Sequence, residues 1–507
     1  MKLNYKRIIL VGFAFFLIQA FWQAYDNTIP MILTNKFGMS QAWSGAIMAL
    51  DNVLALFMLP LFGAISDKHH SKWGRRTPFI VVGTLIAAVM LIALSFVDNA
   101  QLHHISDVAA IDDPAALETI YDREADETLL TPGGQKFVLS RQFTKEEFTQ
   151  IRSQITVDGA VVTNPDYTNY VMPARQACAW DATAKSPVTL VFFIALLLVI
   201  LVSMAVFRSP AVALMPDVTL KPLRSKANAV INLMGSAGGI LVLVLGMVFA
   251  TSAVRNSLMS YTGYFAVIAA IMLAALVVFM LTVRENEWAA EMQQQSVELG
   301  LEDKEEAATG ERKLSVDEVR SLIFLLLSIV LWFFGYNAVT SKYSVYASNI
   351  LHKDYNLTLI IAQAAAIISY LPVGFIASRV GRKKTILAGV VMLTAAFTTA
   401  SFMSAESPTM LMNAMFALAG IAWATINVNS FPMVVEMCSG GNVGKYTGFY
   451  YTASMAAHAL RPADGPHGNA RAVPLCRRVH GAGLCDHAVR PPRRQQARGQ
   501  TGAGSSG

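Results

Sequence analysis

The sequence predicts an all-α integral membrane protein built from two bundles of spanning helices. Apolar residues make up 54% of the 507 positions and charged residues only 15%, which is far from the balance of a soluble domain. Apolar stretches of roughly 20 residues, the length that crosses a bilayer core about 30 Å thick, recur along the chain. A polar break near the middle divides them into two series, so the composition excludes an ordinary soluble enzyme or binding domain.

The apolar stretches define the helices of each bundle. Six precede the polar break, at about residues 8–33, 41–65, 77–97, 187–214, 227–252 and 262–283. Five follow it, at about 320–346, 356–378, 384–403, 408–437 and from 443 to near Ala457. We therefore expect a first bundle over 1–283 and a second bundle over 320–457 that is truncated after about five helices.

Basic residues beside helix ends predict the orientation, because Lys and Arg accumulate in short cytoplasmic loops. They follow the second, fourth and eighth stretches, at Lys68, Lys72, Arg75, Arg76, Lys221, Arg224, Lys226, Arg379, Arg382, Lys383 and Lys384. We expect these loops and the N-terminus to face the cytoplasm, in a bacterial inner membrane or a plasma membrane. The acid-rich segment 98–186 is then an external insertion between the third and fourth helices. The break 284–319 is a cytoplasmic central loop whose residues 288–301 form an amphipathic run.

The last fifty residues differ from the rest of the chain. Residues 458–507 contain eight Arg and two Asp, which accounts for the whole formal net charge of +6, so the body is neutral and no nucleic-acid partner is expected. This segment lacks Lys, Ile, Phe, Tyr, Trp, Met and Glu, and it begins inside an apolar stretch. The pattern favours a disordered basic tail produced by a reading-frame shift; a natural basic tail is the alternative.

A basic loop is repeated in the two halves. Gly63 to Asp67 is followed by Gly74, Arg75 and Arg76 after the second helix, and residues 374–378 are followed by a similar basic turn with Arg382 after the eighth. Internal duplication of this kind is typical of transporters. Thr77 and Pro78 suit the N-cap and first turn of the third helix.

The first copy of this loop resembles the signature of the major facilitator superfamily, which combines a Gly, an Asp and a pair of basic residues. Five stretches resemble its sucrose/proton symporter branch, which is related to the glycoside-pentoside-hexuronide transporters: 66–71, 74–80, 207–217, 224–229 and 427–436. The resemblance covers residues 1 to about 457, without the insertion. It implies two six-helix bundles and proton-driven sugar uptake through a central cavity that opens to each side in turn.

The resemblance also implies a gate at the basic loops. Asp67 beside the basic turn can make charge-assisted bonds between helix ends that hold one state closed, whereas a loop that only sets topology is the alternative. The gating candidates are Gly63, Asp67, Gly74, Arg75, Arg76, Asp217, Arg382 and Glu436.

Ionisable side chains inside spanning helices are costly and are functional candidates by default. Asp51, near the middle of the second helix, is a candidate for proton coupling; a structural carboxylate is the alternative. Asp26 is equally open to proton coupling and substrate contact. The resemblance implies that Arg208 binds substrate or pairs with a coupling acid, whereas a helix-end arginine that reaches water is the alternative. Plant members carry an acid about three turns before this arginine, where the chain has only apolar residues, so Asp51 or Asp26 must supply the titrating group if protons drive transport.

Sugar sites normally combine amides with aromatic faces. The further substrate-binding candidates are Asn27, Asn52, Asn232, Trp332, Asn337, Gln363, Asn427 and Asn429, each of which could instead make an interhelical hydrogen bond.

We expect a monomeric secondary transporter for proton-coupled uptake of a sugar or glucoside, sucrose- or maltose-like. A sodium-coupled carrier or an exporter of another solute is an alternative, and a non-transporting membrane sensor is an alternative from another class. Neither metal-ligand spacing nor a nucleotide or nucleophile motif occurs, so we expect no metal, no cofactor and no enzymatic activity.

Overall fold

The computed structural model describes residues 3–157, 159–251, 253–301, 314–349, 355–404, 406–438 and 440–459. In chain order the described helices are α1 (Tyr5–Asn35), α2 (Gln41–Met48), α3 (Leu50–Lys68), α4 (Thr77–His104), α5 (Ser106–Ala109), α6 (Pro114–Glu124), α7 (Leu139–Gln142), α8 (Lys145–Gln150), α9 (Met172–Lys185), α10 (Val188–Asp217), α11 (Arg224–Val248), α12 (Thr262–Thr282), α13 (Glu285–Glu298), α14 (Val316–Asn349), α15 (Tyr355–Val380), α16 (Arg382–Ser401), α17 (Thr409–Val435) and α18 (Val443–Ala459). Ten spans in these residues are long and apolar enough to cross a membrane, with α2 and α3 forming one of them. The tail expected from 458 lies, after Ala459, outside the described residues.

The spanning helices form two bundles. In the first, α1 packs on α11 and α12, and α4 packs on α10 and α12. In the second, α17 packs on α15 and α16, and α14 packs on α18. The bundles meet where α3 contacts α18 and where α11 contacts α15. The predicted all-α fold of two bundles is confirmed, and the described part of the second bundle comprises five helices.

The second predicted helix is divided at Ala49 into α2 and α3. The backbone N–H of Ala49 still donates to the Gly45 carbonyl at 3.0 Å, and its own carbonyl accepts from the Val53 N–H at 3.2 Å. Since hydrogen bonds continue across the division, the backbone polar groups of the span stay paired. The two pieces therefore act as one membrane span.

The insertion predicted at 98–186 is a folded unit in the structure. It contains α5 to α9, a π-helical turn (Tyr167–Val171) and two antiparallel hairpins, β1–β2 (Leu129–Leu130 with Lys136–Phe137) and β3–β4 (Gln154–Val157 with Ala160–Thr163). Its buried apolar core includes Leu117, Phe148 and Tyr167. The guanidinium of Arg175 crosses this core and donates to the Tyr167 hydroxyl at 3.0 Å and the Ala110 carbonyl at 3.1 Å.

The insertion docks on the end of the first bundle at which α1 finishes. Gln176 of α9 donates to the Asn35 side chain at 2.9 Å, and Gln101 of α4 donates to the Thr183 hydroxyl at 2.9 Å. Gly38 adopts a φ of +67°, and an added Cβ would overlap the backbone of Trp180. We call this end of the molecule the insertion face, and the opposite end, which carries the loops at 69–76 and 218–223, the basic face.

The amphipathic run expected in the central loop forms α13, which lies on the basic face of the first bundle. Trp288 is buried there beneath the Arg7 guanidinium, whose carbon lies 5.3 Å from the ring centroid. Arg7 also pairs with Glu291 at 2.6 Å. These contacts fix α13 to the first turn of α1. Residues 302–313 of the loop lie outside the described residues.

Candidate transport site

A cavity of about 820 Å³ lies between the two bundles. Helices α1, α2, α3, α10 and α11 of the first bundle and α14, α17 and α18 of the second line it. The lining residues are Phe15, Ile18, Gln19, Trp22, Asp26, Gly45, Met48, Ala49, Asp51, Asn52, Arg208, Val212, Asn228, Asn232, Phe333, Asn427, Phe431, Tyr450, Tyr451, Ser454 and Met455. This mixture of aromatic faces, amides and a few charges is of the kind that binds small polar solutes.

The three charged lining residues are among those that the sequence singled out within the spans, whereas Glu436 lies at the basic end of α17 and outside this lining. Asp26 on α1, Asp51 on α3 and Arg208 on α10 share the cavity although they are far apart in the chain. Asn52 donates to the Asp51 carboxylate at 2.7 Å. With all three ionised, the lining carries two negative charges and one positive charge.

Arg208 lies between two aromatic rings from different bundles. Its guanidinium carbon is 5.3 Å from the ring centroid of Trp22 on α1 and 4.8 Å from that of Tyr451 on α18. Its Nε has no hydrogen-bond partner among the described residues. The sequence analysis missed both rings. The spacing of Gln19, Trp22 and Asp26 along one face of α1 could have indicated Trp22.

Three of the predicted amide residues line the cavity and the others do not. Asn52, Asn232 and Asn427 belong to the lining; Asn232 donates to the Asn228 carbonyl at 2.7 Å and Asn427 to the Trp423 carbonyl at 3.1 Å. The predicted residues that lie outside this lining are Asn27, Asn337, Gln363 and the fully buried Trp332 and Asn429. Their roles in substrate binding remain predictions.

Asn228 is a further lining residue that the sequence analysis missed. It donates across the bundle interface to the carbonyls of Asn427 at 3.1 Å and Val428 at 2.9 Å. Both acceptors lie on α17, in the turn that precedes Pro432. Asn228 therefore joins the bundles at the basic end of the cavity.

A network of charged side chains lies at the basic face, where the two bundles meet. The Arg76 guanidinium donates to Ser66 at 2.5 Å, to Asp67 at 2.5 Å and to Asp217 at 2.8 Å, and none of these side chains reaches solvent appreciably. Arg75 pairs with the second oxygen of Asp217 at 2.8 Å. The network thus joins α3, α4 and α10 within the first bundle.

Asp67 carries this network across to the second bundle. Its carboxylate accepts the backbone N–H groups of Gly444 and Lys445, each at 2.8 Å, at the start of α18. A carboxylate at a helix N-terminus is stabilised by the unpaired N–H groups there. Gly63 is required because α3 and α18 touch: an added Cβ would overlap the Gly444 carbonyl.

A second set of polar contacts joins α11 to the second bundle at the basic face. Arg382 pairs with Glu436 at the end of α17 and donates to the Ser225 hydroxyl at 2.6 Å. Arg224 is buried and donates to the Val435 carbonyl at 3.2 Å. The predicted gating residues, with the exception of Gly74, thus meet their partners at the basic ends of helices, whereas the cavity lies further toward the insertion face. We call these two sets of contacts the gate.

Glu285 of α13 holds the turn that presents the gate arginines, and the sequence analysis missed it. Its carboxylate accepts the backbone N–H groups of Arg75, Arg76 and Thr77 and the Thr77 hydroxyl, all at 2.8 Å. Gly74 has a φ of +113°, and an added Cβ would overlap this carboxylate. The predicted N-cap at Thr77 is therefore wrong: Thr77 is the first residue of α4, and Glu285 supplies the cap from another element.

Replacing Glu285 with glutamine should lower the free energy of unfolding by about 1–3 kcal/mol, because an amide nitrogen would face donors that the carboxylate accepts. Thermal unfolding of the purified protein in detergent measures the effect. Glu287→Gln is the matched control, since Glu287 lies two residues away and is exposed. Equal melting temperatures for the two variants would show that Glu285 does not cap α4.

A match to a family model identifies the family of this chain. The model described as Major Facilitator Superfamily matches residues 176–462, which is more than half of the chain. The chain belongs to the major facilitator superfamily. A second model, described as MFS/sugar transport protein, matches residues 10–103 of this superfamily member. The first bundle and the second are therefore both matched by models of one superfamily, whose members are transporters and not enzymes.

Two curated relatives of this superfamily member are plant sucrose transporters. Sucrose transport protein SUC3 of Arabidopsis thaliana is 39% identical over 67 residues, which are 13% of this chain and 11% of that protein. Sucrose transport protein SUC4 of the same plant is 36% identical over 59 residues, which are 12% of each protein. The matched stretches thus span about an eighth or less of the relatives' own lengths.

Solved structures show the same fold at low identity. An outward-facing bacterial homologue of the iron transporter ferroportin matches with a TM-score of 0.58 at 13% identity, covering 96% of this chain and 99% of that chain. The proton:xylose symporter XylE bound to 6-bromo-6-deoxy-D-glucose matches with a TM-score of 0.55 at 14% identity, covering 95% and 94%. FucP, a superfamily transporter in the outward conformation, matches with a TM-score of 0.53 at 14% identity, covering 95% and 98%.

Proposed function

We propose that this superfamily member takes up a sugar or glucoside, sucrose- or maltose-like, together with protons by alternating access. The observation that carries the proposal is the meeting of Asp26, Asp51 and Arg208 in one cavity between the bundles. The match to the sugar-transport model over residues 10–103 and the sucrose-transporter relatives support a sugar as the solute.

The charges of the cavity support proton coupling. One guanidinium balances one of the two carboxylates, so a bound proton would bring the lining to neutrality. An ionised carboxylate left unbalanced in a low-dielectric cavity is costly when the bundles close around it. Loading a proton therefore favours closure, which is what coupling of the proton to the sugar requires.

The gate supports alternating access. It joins the bundles at the basic face, so we expect solute to reach the cavity from the insertion face in this state. Opening the basic face requires that Asp67 leave the N-terminus of α18 and that Arg382 leave Glu436. Rocking of the bundles about the fixed cavity would break these contacts and make others at the opposite end.

The proposal includes the arrangement of the protein in its membrane. We infer a monomer in a bacterial inner membrane or a plasma membrane, with a cytoplasmic basic face and N-terminus and an external insertion at 98–186. The proposed units are the first bundle (1–283), the cytoplasmic central loop (284–319), the second bundle (320–457) and a basic tail (458–507).

Uptake by proteoliposomes tests the proposal. We expect labelled sucrose or maltose to accumulate under an inward proton gradient, and we expect Asp51→Asn and Arg208→Ala each to reduce accumulation by at least about tenfold, the effect of losing roughly 1.4 kcal/mol. Asp181→Asn, at an exposed carboxylate of α9, is the control. Accumulation driven by a sodium gradient alone would show that sodium, and not the proton, is the coupling ion. Efflux without uptake would indicate an exporter, and the absence of any solute movement would favour a sensor.

A further inference from the structure

We propose that Trp22 and Tyr451 are positioning residues for the sugar: by holding the Arg208 guanidinium between their rings, they keep its N–H groups available to sugar oxygens. This inference rests on the proposed function, because it concerns the same cavity. It assigns a role to two aromatic residues that lie on different bundles and that neither motif nor charge had singled out.

The manner in which Arg208 is held carries the argument. A cation over an aromatic face is attracted by the π electrons, and this interaction uses none of its N–H donors. A carboxylate partner would consume those donors in a bidentate pair. Among the described residues Arg208 lies over two rings and has no hydrogen bond or ion pair, although Asp26 and Asp51 line the same cavity.

The unpartnered Nε is a second observation that points to a ligand. Buried nitrogen donors almost always have a partner, and those without one commonly belong to functional sites. Nε is buried, whereas the residue as a whole is half-buried and lines the cavity. The guanidinium is therefore held next to the cavity with its donor capacity unused, and hydroxyl and ring oxygens of a sugar are acceptors for it.

The location of the rings on separate bundles gives them different parts in the cycle. Trp22 on α1 and Arg208 on α10 both belong to the first bundle. This ring therefore stays with the arginine when the bundles rock. Tyr451 lies on α18 and moves with the second bundle. Arg208 is thus held by two rings only while the gate is closed, which makes sugar affinity depend on the state of the transporter.

Equilibrium binding of labelled sucrose and of labelled maltose to the full-length protein in detergent tests the proposal. We expect Tyr451→Leu to raise the Kd by about tenfold and Tyr451→Phe, which keeps the ring face, to change it less than twofold. Phe449→Leu is the matched control, because it removes an aromatic ring from the same helix outside the cavity lining. The melting temperatures of Tyr451→Leu and Phe449→Leu should agree.

A double-variant comparison separates positioning from a direct or purely structural role. If Tyr451 acts through Arg208, Tyr451→Leu should change the Kd less than twofold in an Arg208→Gln background. A tenfold effect that persists in that background would overturn the proposal, as would unchanged sugar binding by Tyr451→Leu in the original chain. If the unaltered protein bound neither sugar, the proposed function itself would fail and this inference with it.

Discussion

Replacing Lys36 with methionine is expected to lower the free energy of unfolding by about 3–5 kcal/mol, because it leaves the Asp98 carboxylate charged and buried without its counter-ion. The Lys36 Nζ lies 2.6 and 2.7 Å from the two oxygens of Asp98, and neither side chain is exposed. It also donates to the Met259 carbonyl at 2.7 Å and lies 4.8 Å from the Tyr261 ring centroid. One ammonium therefore joins the ends of α1 and α4 to the segment before α12.

Two further variants separate the pair from the burial of either group alone. The double variant Lys36→Met with Asp98→Leu removes both charges, and we expect it to recover most of the loss, since well-packed apolar groups often replace a buried pair at little cost. Lys145→Met is the control, because Lys145 pairs with Glu118 and Asp122 on the insertion surface, where such pairs contribute about 0–1 kcal/mol. Chemical denaturation in mixed micelles, followed by tryptophan fluorescence, measures all three. A Lys36→Met variant as stable as the Lys145→Met variant would contradict the assigned role.

The sequence predicts the helices and the main charges well because both depend on local information. Apolar length identifies a span regardless of its neighbours, and a carboxylate or guanidinium inside such a span is conspicuous. Asp26, Asp51 and Arg208 were predicted in this way, and the structure brings them to one cavity. The loop pattern likewise indicates Asp67 and Arg76, which meet at the basic face, and their gating role stays a prediction.

The features that were missed depend on contacts between distant segments. Lys36 and Asp98 lie near helix ends, where charges are ordinary, and only the packing of α1, α4 and the segment before α12 brings them together. Glu285 is one acid in an acid-rich loop, and its role depends on the turn 74–77 that wraps around it. The fold of the insertion was missed because its helices and hairpins are short and its core residues are scattered through a polar sequence.

Introducing valine at Gly444 is expected to open the gate. An added Cβ at this position would overlap the Gly63 carbonyl and lie 2.5 Å from Arg76 Nη1 and 3.0 Å from the Asp67 carboxylate. Overpacking of this kind costs about 1–3 kcal/mol, and the cost falls only on the state in which α3 and α18 touch. The open population should therefore rise roughly 5- to 150-fold, the factor that corresponds to this free energy.

Alkylation of Cys438 reports this change without an introduced cysteine. Cys438 is buried beside the gate, and burial raises the pKa of its thiol to about 12, so the reactive thiolate is scarce while the gate is closed. Opening hydrates the thiol, and we expect maleimide labelling of Cys438, resolved by peptide mapping, to accelerate at least tenfold in Gly444→Val. Gly263→Val is the matched control: Gly263 is likewise the second residue of a helix, and its added Cβ would meet only Phe249 at an ordinary 3.5 Å. Labelling of Cys178, in the core of the insertion, should stay slow in both variants. If Cys438 reacted no faster in Gly444→Val than in Gly263→Val, the contact of α3 with α18 would not hold the basic face shut, because removing it would leave the protected state equally populated.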